Sequence, residues 1–174
     1  MNNIPTRIVS LFLSLSLFLL PSSASNIYVT PTLQTKCPGN PCQTLSQYAN
    51  ESAKHLVSNT AMIFLPGTHT LNVQIHVTNV SNFSIMSEKE TKTLIICSGS
   101  ECGGFFFKNV LELTIHSLSF SSVSSSIGGE NVCNFLLTNC TFAHNEDTAV
   151  YVTVHDKTNH IALDIDTGLF SCPR

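Results

Sequence analysis

The sequence predicts an all-β fold, a short coil of stacked strands preceded by one helix. After residue 59 the apolar residues change from helical spacing to alternation, and turns rich in Asn, Ser and Gly separate the runs. A weak repeat, V-x-x-[FL]-x-[IL], begins at Val80, Val110 and Val132, with intervals of 30 and 22 residues. A repeat of this length suits a coil in which each turn stacks on its neighbours.

Residues 25–60 are predicted to form an N-terminal cap. The β-prone run from Ile27 to Thr30 is ended by a proline and followed by a cysteine loop. Thr44 and Gln47 form a capping-box pattern at the start of a helix. Apolar residues then recur at helical spacing as far as Val57. Because this helix has one apolar face to bury, we interpret it as a cap on one end of the coil.

Residues 61–160 are predicted to form the coil, and 161–174, which lack the repeat, an irregular tail. Within the coil, His69 and His116 fall in alternating strands and are predicted to face solvent. Cys140 falls in an inward position opposite Leu118 of the previous turn, which indicates a small buried hydrophobe rather than a reactive thiol. Because the pattern stops before Ile161, the chain is either a truncated piece of a longer gene or closed by an improvised cap.

Residues 1–24 are interpreted as a cleavable signal peptide. Arg7 precedes an apolar run of thirteen residues that ends at Leu20, and Ala24 completes a small-residue cleavage pattern. A membrane-spanning helix needs about 20 apolar residues, so an uncut signal anchor is the weaker alternative. No later apolar run reaches that length, and we expect a secreted, extracellular protein without a stable membrane span.

The seven cysteines all follow this segment. Cys37 and Cys42, like Cys97 and Cys102, enclose four residues rich in turn formers, and both pairs are read as local disulfides. Zinc binding by these pairs is a weaker alternative, because the usual ligand spacings are absent. The pairing of the remaining cysteines cannot be read from the sequence; they are Cys133, Cys140 and Cys172.

Polar composition restricts the partners. The chain carries 8 Lys and Arg against 11 Asp and Glu, a net charge of −3, and has no basic stripe, so nucleic acid is excluded as an expected partner. In an exported chain, four N-x-[ST] sequons are candidates for N-glycosylation. Their asparagines are Asn50, Asn79, Asn82 and Asn139.

Two segments carry a family resemblance. The stretch from Ile63 through Pro66-Gly67 to Leu71 resembles the first turn of right-handed parallel β-helix proteins, the pectate-lyase-like superfamily. The stretches Asn109–Phe120 and Phe135–Phe142 resemble its later coils, and the Cys-Pro-Gly-Asn-Pro-Cys opening resembles secreted animal members of unknown function. The resemblance covers residues 27 to about 155 and implies a short right-handed parallel β-helix with an N-terminal capping helix.

No catalytic, cofactor-binding or metal-binding set is found in the sequence. Enzymes of this superfamily use clustered Asp with Arg or Lys, whereas the Asp residues here are confined to the end of the chain. The cluster from His144 to Asp147 is read as a turn, and Asp164-x-Asp166-x-Gly168 as a chance match to a calcium loop. We therefore expect a non-enzymatic structural or glycan-binding surface whose partner is an extracellular polysaccharide or glycoprotein. The alternatives are a polysaccharide lyase or glycoside hydrolase, and the N-terminal fragment of a cell-surface receptor.

Overall fold

The computed structural model describes residues 25–32, 37–38, 42–51, 56–89, 93–98, 102–144, 148–154, 157–159 and 167–170. The segment predicted to be a signal peptide lies outside these residues. The described part contains fourteen strands and one short helix, α1, at Leu45–Glu51. The strands are β1 Ser25–Thr30, β2 Cys42–Thr44, β3 Thr60–Phe64, β4 Gly67–Leu71, β5 Ile75–Thr78, β6 Ser81–Ser87, β7 Thr93–Cys97, β8 Phe105–His116, β9 Leu118–Ser121, β10 Ile127–Thr138, β11 Thr141–Ala143, β12 Val150–Val154, β13 Lys157–Asn159 and β14 Thr167–Phe170.

The strands form three parallel ladders that the chain visits in rotation. The first contains β1, β3, β6 and the second halves of β8 and β10, and β2 adds to its edge. The second contains β4, β7, β9 and β11. The third contains β5, the first halves of β8 and β10, and β12. This arrangement confirms the all-β class and is compatible with a β-helix-like fold.

The sequence repeat corresponds to the strand register. Leu113 pairs with Phe83 in the turn before it and with Phe135 in the turn after it. The next inward position aligns in the same way and contains Ile85, Ile115 and Leu137. All of these side chains are at most 1% exposed. Stacking of equivalent side chains therefore produces the core, and the 22- and 30-residue intervals are the lengths of successive turns.

Phenylalanine fills the middle of the core. The ring of Phe105 lies 6.3 Å from that of Phe64, 6.2 Å from Phe107 and 6.4 Å from Phe120, measured between centroids. Each of these four rings is at most 1% exposed. Edge-to-face contact of aromatic rings adds to the free energy gained by burying them. The three ladders therefore meet around one aromatic cluster.

Asparagines occupy the tight turns between ladders. Asn79, Asn109 and Asn131 immediately precede the valines of the repeat and have φ angles of 56°, 54° and 57°. Asparagine tolerates this left-handed conformation better than most residues with a side chain. The Nδ2 of Asn109 donates to Asn79 Oδ1, and the Nδ2 of Asn131 donates to Asn109 Oδ1, both at 2.9 Å. These side-chain hydrogen bonds link three successive turns.

Helix α1 begins as predicted and ends earlier. The Gln47 side-chain oxygen accepts from the Thr44 backbone N–H at 3.1 Å, and Thr44 Oγ1 accepts from the Gln47 N–H at 3.3 Å, which confirms the capping box. Ser46 donates its hydroxyl to the Thr70 carbonyl of β4 at 2.6 Å. The helix was predicted to continue to Val57, whereas the described helix spans Leu45–Glu51 and residues 52–55 lie outside the described residues. Val57 is 58% exposed and nonhelical, because the chain must already be extended to enter β3 at Thr60.

His69 is buried, so the prediction that it faces solvent is wrong. Its ring is 1% exposed and stands edge-on to Phe64 at 4.9 Å between centroids. Nε2 donates to the Leu65 carbonyl at 2.8 Å, and the buried Nδ1 has no hydrogen-bond partner. The simple alternation is correct for β4, but histidine takes an inward position because the Leu65 carbonyl satisfies one ring nitrogen. His116 is partly buried, with Nδ1 2.6 Å from Thr138 Oγ1.

Burial of His69 predicts loss of stability in acid. Desolvation lowers its pKa below the usual 6.5. The unfolded chain therefore binds the proton more readily than the folded chain, so the free energy of unfolding falls as pH drops below about 6.5. We expect this residue to reduce the free energy of unfolding by at most about 1.4 kcal/mol per pH unit.

Urea denaturation between pH 7.5 and pH 5 measures this effect. His69→Phe should flatten the pH dependence of the free energy of unfolding relative to the unmodified chain. An equally steep loss of stability in the His69→Phe variant would contradict the assignment.

Two antiparallel strands follow the last parallel turn. β13 pairs with β12, and β14 pairs with β10 in a register that sets Phe135 opposite Phe170 and Thr138 opposite Thr167. β14 comes from residues 161–174, which lack the repeat pattern. An antiparallel strand occupies the hydrogen-bonding groups that an open sheet edge would present to another chain.

Candidate functional site

The two cysteine loops are closed by disulfides. Cys37 is bonded to Cys42, and Cys97 to Cys102, with Cα atoms 6.2 Å and 5.9 Å apart. Separations of this size are usual for a disulfide. The second bond lies beside the core, where Cys102 is 4% exposed. Each bond links two cysteines that are five positions apart in the chain.

The remaining cysteines differ in their environments. Cys140 is a free, buried thiol, 6% exposed, as predicted for an inward position. Burial raises the pKa of its thiol to about 11, so it is protonated and unreactive near neutral pH. Cys133 is partly buried and disulfide-bonded. Cys172 lies outside the described residues.

Three of the four sequon asparagines lie in exposed turns of the coil. Asn79, Asn82 and Asn139 occupy left-handed turn positions with φ between 51° and 56°. The Nδ2 of Asn82 donates to Asn59 Oδ1 at 3.0 Å, and that of Asn139 donates to Ser117 Oγ at 2.8 Å. All three residues are exposed. Asn50 lies in α1, and the use of any of these sites stays a prediction.

A concavity, here called the polar groove, runs along the outer face of the second ladder. It has a volume of about 710 Å³. Register places Thr68, Leu94, Ser119 and Thr141 side by side across the four strands. The next outward row is Thr70, Ile96, Ser121 and Ala143. Strands in a sheet are about 4.8 Å apart, so neighbouring side chains within each row follow one another at about that interval.

Its lining combines Ser, Thr and Asn side chains with apolar ones. The Thr141 hydroxyl donates to Ser119 Oγ at 2.7 Å, which aligns two hydroxyl groups from neighbouring turns. Leu94 supplies an apolar patch at the centre, and His144 lies at one end. Among the described residues that line the groove, none is Asp, Glu, Lys or Arg. The lining can exchange hydrogen bonds with hydroxyl groups and contact an apolar surface, but it offers no carboxylate pair for glycoside hydrolysis.

The other predicted features are only partly described by the structure. His144 is exposed, and Glu146 and Asp147 of its cluster lie outside the described residues, as do Asp164 and Asp166. Across the described residues, no group of three His, Cys, Asp or Glu side chains could hold a metal ion. No helix in that same part of the chain is long and apolar enough to cross a membrane.

Comparison with protein-family models, curated proteins and solved structures gives no match to this chain. Its fold and groove therefore have to be interpreted from their own chemistry.

The sequence contained a signal for the groove that reasoning from the repeat did not use. Ser117 and Asn139, like Ser119 and Thr141, are separated by the same 22 residues as Val110 and Val132. The repeat alone did not show where on the fold these side chains lie. The register of the three ladders decides which alternating positions point outward, and therefore which face carries the groove.

Proposed function

We propose that the chain is a secreted, non-enzymatic, right-handed parallel β-helix protein, capped at one end by α1, whose polar groove binds neutral polysaccharide. The observation that carries the proposal is the uncharged groove with hydroxyl side chains aligned across successive turns. An extended sugar chain offers hydroxyl groups along its edges and apolar ring faces, and the rows around Leu94 supply partners for both.

Charge favours a neutral polymer over an acidic one. A uronic-acid or sulfated polymer would need Lys or Arg side chains, and the described lining provides neither. The described ion pair between Lys108 and Glu130, at 2.9 Å, lies on the third ladder rather than in the groove. The signal-peptide pattern and the two disulfides support export, because such bonds persist in oxidising compartments.

A glycan array that includes neutral and acidic polysaccharides tests the proposal. We expect binding to neutral polymers that changes little when salt is raised, because no ion pair contributes to it. Absence of binding to every polysaccharide would reject glycan recognition. Salt-sensitive binding to acidic polymers alone would reject the neutral specificity.

The groove variant that tests the site is Ser119→Ala with Thr141→Val, which removes two adjacent hydroxyl groups. Loss of two neutral hydrogen bonds, at about 1 kcal/mol each, is expected to weaken binding roughly 30-fold. Thr114→Val is the matched control, because this threonine occupies an outward position on the first ladder. Equal weakening by the control variant would place the binding surface elsewhere, and isothermal titration calorimetry measures both.

A further inference from the structure

We propose that an N-glycan attached to Asn139 lies in the polar groove and competes there with external polysaccharide. The inference rests on the proposed function, since it requires export and a groove that accepts sugar. It separates Asn139 from the other sequon asparagines and gives the groove a means of regulation.

The sequon itself forms part of the groove. Its first and third residues, Asn139 and Thr141, both line the concavity. Between them Cys140 is buried, 6% exposed, whereas the two polar residues are exposed on the outer face. Asn79 and Asn82 are described residues outside the lining. A glycan on Asn139 therefore starts from the groove wall, and a glycan on Asn79 or Asn82 does not.

A hydrogen bond fixes the acceptor amide. The Nδ2 of Asn139 donates to Ser117 Oγ at 2.8 Å. Ser117 lines the groove, is 8% exposed, and donates its backbone N–H to the Thr138 carbonyl at 3.1 Å. A side-chain amide nitrogen carries two hydrogens, and glycosylation replaces one of them. The other can keep the bond to Ser117, which holds the first sugar against the wall of the groove.

The groove suits a short glycan in length and chemistry. From Thr141 the outward row continues across Ser119 and Leu94 to β4, which is three strand spacings or about 14 Å. The groove volume of about 710 Å³ lies within the roughly 300 to 1,000 Å³ of ordinary ligand pockets. The sugars of a glycan offer the same hydroxyl groups and apolar ring faces as an external polysaccharide.

Attachment raises the local concentration of the glycan at the groove. A short flexible tether gives an effective concentration on the order of millimolar without any new contact. A weak contact between sugar and groove is then occupied in most chains. The apparent Kd for an external polysaccharide is its intrinsic Kd divided by the fraction of chains whose groove is open, so the tethered glycan weakens binding.

The covalent step uses a lipid-diphosphate oligosaccharide, the donor class for sequons in exported chains. The Nδ2 atom forms a bond to C1 of the first sugar as the C1–O bond to the diphosphate breaks. The diphosphate leaves with the electron pair of that bond, and one amide proton is released. No group is oxidised or reduced.

Protection of the glycan in the folded chain tests its position. The full chain is secreted from a eukaryotic host, and tryptic peptide 109–157, which carries Asn139 and no other sequon, is analysed by mass spectrometry. We expect this peptide to be glycosylated. An endoglycosidase should cleave the glycan about tenfold more slowly in the folded than in the denatured chain, as for a groove filled about nine-tenths of the time. An unmodified Asn139, or equal cleavage rates, would overturn the proposal.

Peptide 55–89 is the internal control, because it carries Asn79 and Asn82. Any glycan on this peptide should be cleaved at similar rates in the folded and the denatured chain. Equal protection of both peptides would show that folding hinders the enzyme in general and would overturn the assignment to the groove.

Two variants test the competition. Asn139→Gln keeps an amide but removes the acceptor, and should bind neutral polysaccharide about tenfold more tightly than the glycosylated chain. Asn79→Gln is the matched control and should bind as the glycosylated chain does. Prolonged endoglycosidase trimming of the unmodified chain should give the same gain as Asn139→Gln, which guards against a folding defect in that variant. Equal binding by the glycosylated chain, the trimmed chain and Asn139→Gln would refute competition.

The inference and the proposed function fail in different experiments. Absence of polysaccharide binding by every form would reject the proposed function, while the protection measurement still decides where the glycan lies. Thr141→Val also removes the sequon, so the groove variant that contains it is compared with Asn139→Gln rather than with the glycosylated chain.

Discussion

Phe105→Ala is expected to destabilise the protein by about 3 to 5 kcal/mol, because it empties the centre of the aromatic cluster. The Phe105 side chain is fully buried and contacts rings on strands from all three ladders. Its removal costs the free energy of transferring the ring from water and leaves a cavity that stacked turns cannot collapse to fill. Urea denaturation followed by circular dichroism measures the change.

Phe106→Ala is the matched control, since it deletes the same ring one residue further along β8. Phe106 points to the outer face, where its partly buried ring tilts against His76 at 5.4 Å between centroids. We expect Phe106→Ala to lower the free energy of unfolding by about 1 kcal/mol. If the two variants were destabilised equally, the inward orientation of Phe105 would be wrong.

Gly104→Ala is expected to destabilise the protein by about 3 kcal/mol, at the upper end of overpacking effects. A methyl group at this position would collide with the carbonyl oxygen of Ser126 and lie 2.9 Å from its carbonyl carbon. Both neighbouring turns are fixed there, because the Gly104 carbonyl accepts from the Ile75 N–H and the Gly104 N–H donates to the Ser125 carbonyl. The backbone of one turn would have to move away from the next.

Gly103→Ala provides the comparison at the adjacent glycine. The methyl group there would meet the end of the Gln74 side chain, which can rotate away. We expect the free energy of unfolding to change by less than about 1 kcal/mol, measured by the same urea denaturation. A Gly104→Ala variant as stable as Gly103→Ala would show that the turns are not packed backbone against backbone at Ser126.

The candidate site was only partly predictable. Cysteine pairs separated by five positions and enclosing turn residues predicted the loops that the two disulfides close. The sequence did not locate the polar groove, because its place on the second ladder depends on register between residues 22 or more positions apart. His69 shows the limit most clearly: alternation permits either face, and only the carbonyl of Leu65 makes an inward histidine acceptable.

The sequence by itself determined the β class, the stacking of similar turns and the start of the helix. These features depend on local periodicity, turn chemistry and capping, which act between residues close together in the chain. Tertiary structure alone decided where α1 ends, which histidine is buried, which face carries the polar groove and how β14 returns to β10. Those outcomes depend on contacts between distant turns, and the free energy of such contacts is absent from any local pattern.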